Sequence, residues 1–184
     1  EEGKRPKFSI IGSGGIGYGI VENDNEPNYN LNNNSAEVLL NYKFSSVFGV
    51  ATGIGWNEMT GNGFNSLGNF YHERSTIKIP LLLTMNSKIS DQISVITNFG
   101  LYGQTITKDE YRFLNNTRKD IYEGWNFGTQ FTFGFAFKLS DRFSTGINYT
   151  AQTDFSKFES NNNLGLNDQQ RVKGLNAIGI MFMF

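Results

Sequence analysis

The end of the chain, residues 171–184, alternates between large apolar side chains and smaller or more flexible ones. Counting back from the last residue, every second position is large and apolar: Phe184, Phe182, Ile180 and Ile178. A period of two predicts a β-strand, because successive side chains of a strand point to opposite faces. At the edge of a soluble sheet so apolar a strand would promote aggregation, whereas a closed barrel in a lipid bilayer requires an apolar outer face. The pattern therefore predicts a lipid-facing strand of a barrel.

Short turns and long polar stretches alternate along the rest of the chain. The segments 43–48, 88–93 and 138–143 each begin with Lys, an apolar residue and Ser, and each lies between apolar strand ends. Ser and Asp favour tight turns because they bond to nearby backbone groups. Between these turns lie polar, Asn-rich stretches that we predict to be long loops: 22–34, 58–69, 107–120 and 157–169. Three turns and four loops connect eight strands, so the sequence predicts an all-β fold, an eight-stranded antiparallel transmembrane up-and-down β-barrel.

The bulk of the two strand faces decides between a membrane barrel and a soluble one. One parity carries most of the large apolar residues, and the other carries mainly Gly, Ser, Thr, Asn and Gln. An eight-stranded barrel has a narrow interior that could not hold the larger set, so that set must face outward, toward lipid. The 184 residues suffice for one domain, and we assign 1–184 to a single barrel. A net charge of -1 gives no reason to expect nucleic acid as a partner, and the absence of Cys excludes thiol chemistry.

Nearly the whole chain resembles the small outer-membrane barrels of bacteria. Ile180, Phe182 and Phe184 resemble the carboxyl-terminal insertion signal of that class, and the alternating strands resemble OmpA/OmpX-like barrels. The stretch 77–83 and the Asn-rich loops are similar to the PorT-like outer-membrane barrel family. The resemblance implies the bacterial outer membrane, periplasmic termini, extracellular long loops and insertion by the outer-membrane machinery. PorT-like relatives are associated with secretion or envelope assemblies, which implies other outer-membrane proteins as partners.

Charged residues fall on the parity that we assign to the lumen: Glu37, Lys43, Lys78, Asp154, Arg171 and Lys173. Charges removed from water must be paired or hydrogen-bonded. We therefore predict a polar network inside the barrel, in which Glu37 and Asp154 balance nearby bases. Because eight strands leave no aqueous channel, transport of solutes through the lumen is not expected.

An enzymatic alternative rests on few residues. His72 is the only histidine, and with Ser75 it resembles the His and Ser that some eight-stranded outer-membrane enzymes use to hydrolyse lipid A chains. That chemistry would need both side chains to face lipid and an acid, Glu73 or Glu58, to orient the histidine. A lone histidine at the membrane surface is the simpler interpretation, so we predict a non-enzymatic protein. A further alternative, a small-ligand-binding barrel, would need a cavity that the crowded lumen does not leave.

The sequence predicts no cofactor and no metal. The glycines of 12–17 match the G-x-G-x-x-G dinucleotide pattern, but no helical period follows them, so we interpret them as packing glycines. The acidic and amide side chains of 22–34 lack a recognised calcium-ligand spacing.

Residues in the predicted long loops are candidates for a partner surface: Phe64, Phe70, Tyr111, Arg112, Phe113 and Phe158. Exposed apolar residues among polar ones mark interaction sites, but the same residues could instead pack the loops together. The bases of 107–120 could also meet lipopolysaccharide phosphates. The sequence thus favours a structural or interaction module, either a surface-exposed protein or an accessory subunit of a larger outer-membrane complex.

Overall fold

A computed structural model describes residues 7–161 and 168–184. Within these ranges the strands are β1 (Phe8–Asn23), β2 (Tyr29–Lys43), β3 (Phe48–Asn65), β4 (Gly68–Lys88), β5 (Ile93–Phe113), β6 (Thr117–Lys119), β7 (Tyr122–Glu123), β8 (Trp125–Lys138), β9 (Ser144–Asp154), β10 (Phe158–Ser160) and β11 (Gln169–Met183). β6, β7 and β10 have only two or three residues each, and the other strands form the barrel wall.

In the described part of the chain, eight long strands form a closed barrel. Their order around the wall is β1-β2-β3-β4-β5-β8-β9-β11, and neighbouring wall strands are antiparallel. β1 pairs with β11 from Ile11↔Met183 to Asn23↔Gln170 and so completes the circle. The predicted fold, an all-β eight-stranded antiparallel barrel, is confirmed.

The predicted turns at 43–48, 88–93 and 138–143 are confirmed, and they share one hydrogen-bond pattern. The hydroxyl groups of Ser45, Ser90 and Ser140 accept from backbone amides two residues further on, at 3.2, 3.3 and 3.4 Å. Each turn is also closed across its base, as Ile89 N donates to Ile93 O at 2.9 Å. These turns lie at the same end of the barrel as Phe8 and Phe184, and we call that end the turn rim.

At the opposite end, the loop rim, the strands run further than predicted. β3 and β4 continue until only Ser66 and Leu67 separate them, and β5 continues to Phe113. The stretches 58–69 and 107–120 are therefore mostly strand, because ladder hydrogen bonds between backbones do not depend on apolar side chains. In the predicted loop 157–169, residues 162–167 lie outside the described residues.

The outer face of the barrel carries an apolar band. Large apolar side chains such as Ile16, Ile54, Leu81 and Ile178 point away from the lumen and are exposed. Aromatic side chains border this band at both rims: Phe44, Phe48, Phe137 and Phe184 at one, and Tyr18, Trp56, Trp125 and Phe155 at the other. An apolar band between two aromatic borders is typical of a barrel that sits in a bilayer. On β4 the band covers residues 77–85, so residues 68–75 project beyond it.

No helix in the described ranges is both long and apolar enough to cross a membrane.

Because of a bulge in β11, two of the residues predicted to face the lumen face outward instead. The register between β1 and β11 shifts beside Gly174, whose φ is 73°. Val172 before the shift and Leu175 after it are both buried. Arg171 and Lys173 consequently point outward, with side chains that are 28% and 61% exposed. The prediction was wrong for these two residues because it carried one parity through the bulge.

A second register shift lies in β5, opposite Ser75 and Thr76 of β4. Gln104 faces the lumen before this shift and Asp109 faces it afterwards, although the two differ in parity. Without the shift, Asp109 would point outward, so the bulge is what delivers this carboxylate to the interior.

The lumen is packed with apolar clusters as well as polar groups. One cluster lies near the turn rim and contains Ile11, Leu39, Ala51 and Leu82. Another lies toward the loop rim and contains Val21, Leu31, Met59, Val172, Leu175 and Ala177. The interior is therefore less polar than the composition of the inward parity suggested.

Candidate functional site in the lumen

A largely buried polar group closes the lumen at the loop rim. We call it the upper layer, and it comprises Tyr29, His72, Arg74, Asp109, Tyr111 and Gln170. β2, β4, β5 and β11 contribute these side chains, so the layer connects distant parts of the wall. It lies beyond the apolar band, in the projecting part of the barrel.

His72 occupies the centre of the upper layer. Its Nε2 lies 2.6 Å from Asp109 Oδ1, and its Nδ1 lies 2.8 Å from the hydroxyl oxygen of Tyr29. A neutral imidazole satisfies both contacts, because Nε2–H donates to Asp109 while Nδ1 accepts from Tyr29. Burial lowers the pKa of His72 to about 4, because the opposing attraction of Asp109 is outweighed by burial and the charge of Arg74. His72 is therefore neutral at physiological pH.

Asp109 and Arg74 form a buried ion pair beneath the histidine. Arg74 Nε donates to Asp109 Oδ1 at 3.0 Å, and the amide of Tyr122 donates to Oδ2 at 3.1 Å. Burial alone would raise the pKa of Asp109, but Arg74 and His72 outweigh it and lower that pKa to about 2. The guanidinium carbon of Arg74 lies 5.2 Å from the ring centre of Tyr122 and 5.7 Å from that of Phe158. The pair is thus ionised and held by several contacts, as a buried pair must be.

Hydrogen bonds link Tyr29 to His72 and His72 to Asp109. This is the order of the nucleophile, the base and the orienting acid in a catalytic triad. A catalytic set of this kind needs an activated nucleophile within reach of a substrate. Here burial raises the pKa of Tyr29, so its hydroxyl stays protonated, and His72 has no exposed surface. This geometry favours a structural role for the three residues.

The pairing of His72 with Ser75 that the enzymatic alternative requires does not occur. His72 faces the lumen, whereas Ser75 lies on the opposite parity of β4 and faces outward. Asp109, rather than Glu73 or Glu58, orients the histidine. Glu73 points outward instead, where it bonds to Lys108 at 2.6 Å.

Glu37 and Lys78 lie in a second polar group nearer the turn rim, the basal layer. Lys78 Nζ lies 2.9 Å from Glu37 Oε2 and also donates to Gln130 Oε1. Gln130 Nε2 donates to Glu37 at 3.2 Å, so three strands are joined in a closed set. A Cβ atom on Gly55 would lie 2.8 Å from Lys78 Cε, so a side chain there would displace the lysine stem. Lys43 lies half-buried at the end of β2, toward the turn rim.

Asp154 belongs to a middle layer between the other two. Its carboxylate accepts from Tyr102 at 2.5 Å, Gln104 at 3.0 Å, Asn126 at 2.8 Å and the amide of Val172 at 2.9 Å. We predicted that a base would balance this charge, but these four donors are neutral. The four donors favour the ionised carboxylate and so oppose the cost of burying its charge.

Most of the candidate partner residues pack the loop rim together. Phe70, Tyr111 and Phe158 are buried in one apolar cluster, against which Phe113 packs. The alternative weighed from the sequence, that these side chains hold the loops to each other, is correct for them. Of the six candidates, Phe64 and Arg112 remain substantially exposed.

Sequence reasoning missed Tyr29, Arg74, Asp109 and Gln170. A signal existed for Arg74, because it shares the inward parity of β4 with His72 and Lys78. Asp109 gave no signal, since its parity is reversed by the bulge in β5.

Comparison with solved structures places this fold among outer-membrane barrels. Neisserial surface protein A superposes with a TM-score of 0.60 at 7% identity, and 96% of each chain is covered. The N-terminal β-barrel domain of Pseudomonas aeruginosa OprF gives 0.51 at 9% identity, covering 97% of this chain and 98% of that one. The outer-membrane protease OmpT of Escherichia coli gives 0.56 at 10% identity, covering 98% of this chain and 80% of that one. No protein-family model and no curated protein matches the sequence. At these identities the likeness shows the fold alone, which is that of the small outer-membrane β-barrels.

Proposed function

We propose that the protein is a non-enzymatic integral outer-membrane barrel that acts as an interaction module, as an accessory subunit of a larger complex or as a surface protein. The turn rim and both termini then face the periplasm, and the loop rim faces outside. The observation that carries the proposal is the filled lumen. Basal, middle and upper layers occupy the interior with hydrogen-bonded side chains, so the outer surface is what the barrel offers to a partner. A link to the PorT-like family stays a prediction from the sequence.

The surface that we assign to a partner is the part of β3, β4 and β5 beyond the apolar band, the projecting sheet. Its tip carries exposed apolar side chains, with Phe64 55%, Leu67 48% and Leu114 96% exposed. Exposed apolar residues next to charged ones are typical of interaction sites. Below the tip, Arg112 contacts Glu73 at 3.0 Å and Glu110 at 2.7 Å, so part of its charge is already balanced.

Lipopolysaccharide is a second partner that this surface could contact. Lys108 and Arg112 lie on the outer face just beyond the band, and their side chains are 46% and 49% exposed. Phosphate groups at the membrane surface would meet these bases at that height. During biogenesis, the exposed Ile180, Phe182 and Phe184 would serve the insertion machinery as a recognition signal.

Affinity purification tests the proposal. The wild type, tagged at its amino terminus, is extracted from native membranes in mild detergent and compared with a variant carrying Phe64→Ser, Leu67→Ser and Leu114→Ser. We expect stoichiometric membrane proteins to copurify with the wild type and to be lost from the variant. A control carrying Ile89→Ser and Leu139→Ser, both exposed at the turn rim, should retain them. Identical recovery from all three proteins would contradict a role for the projecting sheet.

The lipid A alternative is tested separately by mass spectrometry. Lipid A from cells with and without the protein should have the same acyl chains, because the His72 and Ser75 side chains lie on opposite faces of β4. A change in lipid mass that His72→Ala abolishes would establish the enzyme instead.

A further inference from the structure

Between the upper and middle layers lies a small cavity of about 10 Å³. Its lining is mixed: Arg74, Asp154, Thr76, Gln104 and Gln152 contribute polar groups, and apolar side chains such as Met59 and Leu175 complete it. A cavity of this size holds about one water molecule, and a buried water needs two to four polar partners. The lining supplies that number.

Arg74 supplies the strongest argument for an occupant. The side chain is 1% exposed, and its Nε bonds to Asp109. Its two terminal nitrogens, Nη1 and Nη2, are buried, and no protein group among the described residues accepts a hydrogen bond from them. The rings of Tyr122 and Phe158 lie beside the guanidinium but offer no acceptor for these in-plane N–H groups. A buried charged group left with unused donors is destabilising, so an acceptor in the cavity would lower the free energy of the fold.

Charge decides which small molecule fits. An anion would accept from Arg74 but would be repelled by the carboxylate of Asp154, which lines the same cavity. A cation would be attracted by Asp154 but repelled by Arg74. Water is neutral, and it can accept from a guanidinium and donate to a carboxylate at the same time.

We propose that this cavity is an internal water site, in which one ordered water accepts from Arg74 Nη and donates to Asp154. The water joins the upper layer to the middle layer. It also completes the pairing of Asp154 with a base that the direct contacts lack. The hydrogen-bonded filling of the lumen is then continuous from Tyr29 and His72 to Tyr102 and Gln104.

A crystal structure of the wild-type barrel, with a second crystal soaked in sodium bromide, tests the proposal. We expect a single density peak within about 3 Å of an Arg74 terminal nitrogen, the usual hydrogen-bond distance, and no anomalous bromide signal there. An anomalous peak would show an anion site and overturn the proposal. A cavity without density would overturn it as well.

A double-mutant cycle measures whether the water couples the two residues. Arg74→Met, Asp154→Asn and the combined variant are unfolded in urea from lipid vesicles. Each substitution changes the unfolding constant by some factor relative to the wild type. We expect the factor for the double variant to differ at least about threefold from the product of the two single-variant factors. Additive effects would contradict a shared water. The crystallographic test stands on the wild type and so holds even if a variant fails to fold.

Discussion

His72 is held neutral inside the fold, so its protonation opposes folding. Its pKa in the folded protein is about 4, against an ordinary value of 6.5. Between those values the unfolded chain binds more protons, and stability therefore falls as the pH is lowered from 6.5 toward 4. We expect a loss of up to about 3 kcal/mol in the free energy of unfolding across this range.

Urea unfolding from lipid vesicles at pH 7, 6 and 5 measures this effect. A histidine-dependent change in stability can be assigned to His72 directly, because the sequence contains a single histidine. His72→Gln, which keeps a side chain capable of hydrogen bonding, should show a flatter profile between pH 7 and 5. Equal slopes for both proteins would show that His72 does not govern the response.

Asp109 is the acceptor on which Arg74 and His72 both depend. Asp109→Asn removes the charge and leaves Arg74 buried without its counter-ion, which we expect to cost about 3–5 kcal/mol of unfolding free energy. Glu73→Gln on the same projecting part of the barrel is the matched control. Glu73 also bonds to two bases, but these are half exposed, so we expect a loss below about 1 kcal/mol. Similar losses in urea unfolding would contradict the distinction between the two faces.

At the scale of residues, sequence reasoning placed Glu37, Lys78 and Asp154 on the inward parity, where the structure also has them. It failed for Arg171 and Lys173, because a single bulge in β11 reverses the parity of the residues before it. The ion-pair partner of a charged residue was predicted wrongly more often than the face on which the residue lies. Which base meets which acid depends on strand register across the barrel, and alternation within a strand says nothing about register.

Among the strands, the bulge at Gly174 sets the facing of the first half of β11. Gly174 has a φ of 73°, whereas Gly12 on β1 does not have a positive φ, and a Cβ atom on either would meet nothing within 4 Å. The two positions therefore differ in backbone conformation rather than in space. We expect Gly174→Ala to cost about 1–2 kcal/mol and Gly12→Ala to be neutral or slightly stabilising. Urea unfolding checks both, and equal effects would show that the bulge relaxes without cost.

The elements that were predicted well are those whose stabilising contacts are close together in the sequence. The turns containing Ser45, Ser90 and Ser140 depend on hydrogen bonds within a few residues, so their repeated pattern could be recognised in the sequence. The strands of the projecting sheet could not be recognised from the sequence. Below its tip the outward residues are mostly polar, and its strands are stabilised by pairing with neighbours that are distant in sequence.

For the whole molecule, the filled lumen predicts that the barrel does not conduct ions. The basal layer joins β2, β4 and β8 across the interior, and Glu37, Lys78 and Gln130 satisfy one another there. Planar-bilayer recordings should show no current above background for the wild type. Steady conductance would contradict the closed lumen.

Fold class was the most predictable property of the whole molecule. Two faces of unequal bulk can be arranged in a narrow barrel in one way only, with the larger face toward lipid. The partner surface was less predictable, because the sequence could not separate the candidates that stay exposed, Phe64 and Arg112, from those that pack the loop rim together.

The apolar face of the barrel lies against lipid, and two adjacent residues test this placement directly. Leu81 is 65% exposed on the outer band, and Leu82 is 1% exposed inside the barrel. Because the chain contains no cysteine, a spin label can be attached at either Leu81→Cys or Leu82→Cys alone. In lipid vesicles we expect the label at position 81 to collide freely with oxygen dissolved in the bilayer and the label at 82 to be shielded from it. The reverse order, or labels at both positions open to a water-soluble nickel reagent, would contradict the membrane barrel described here.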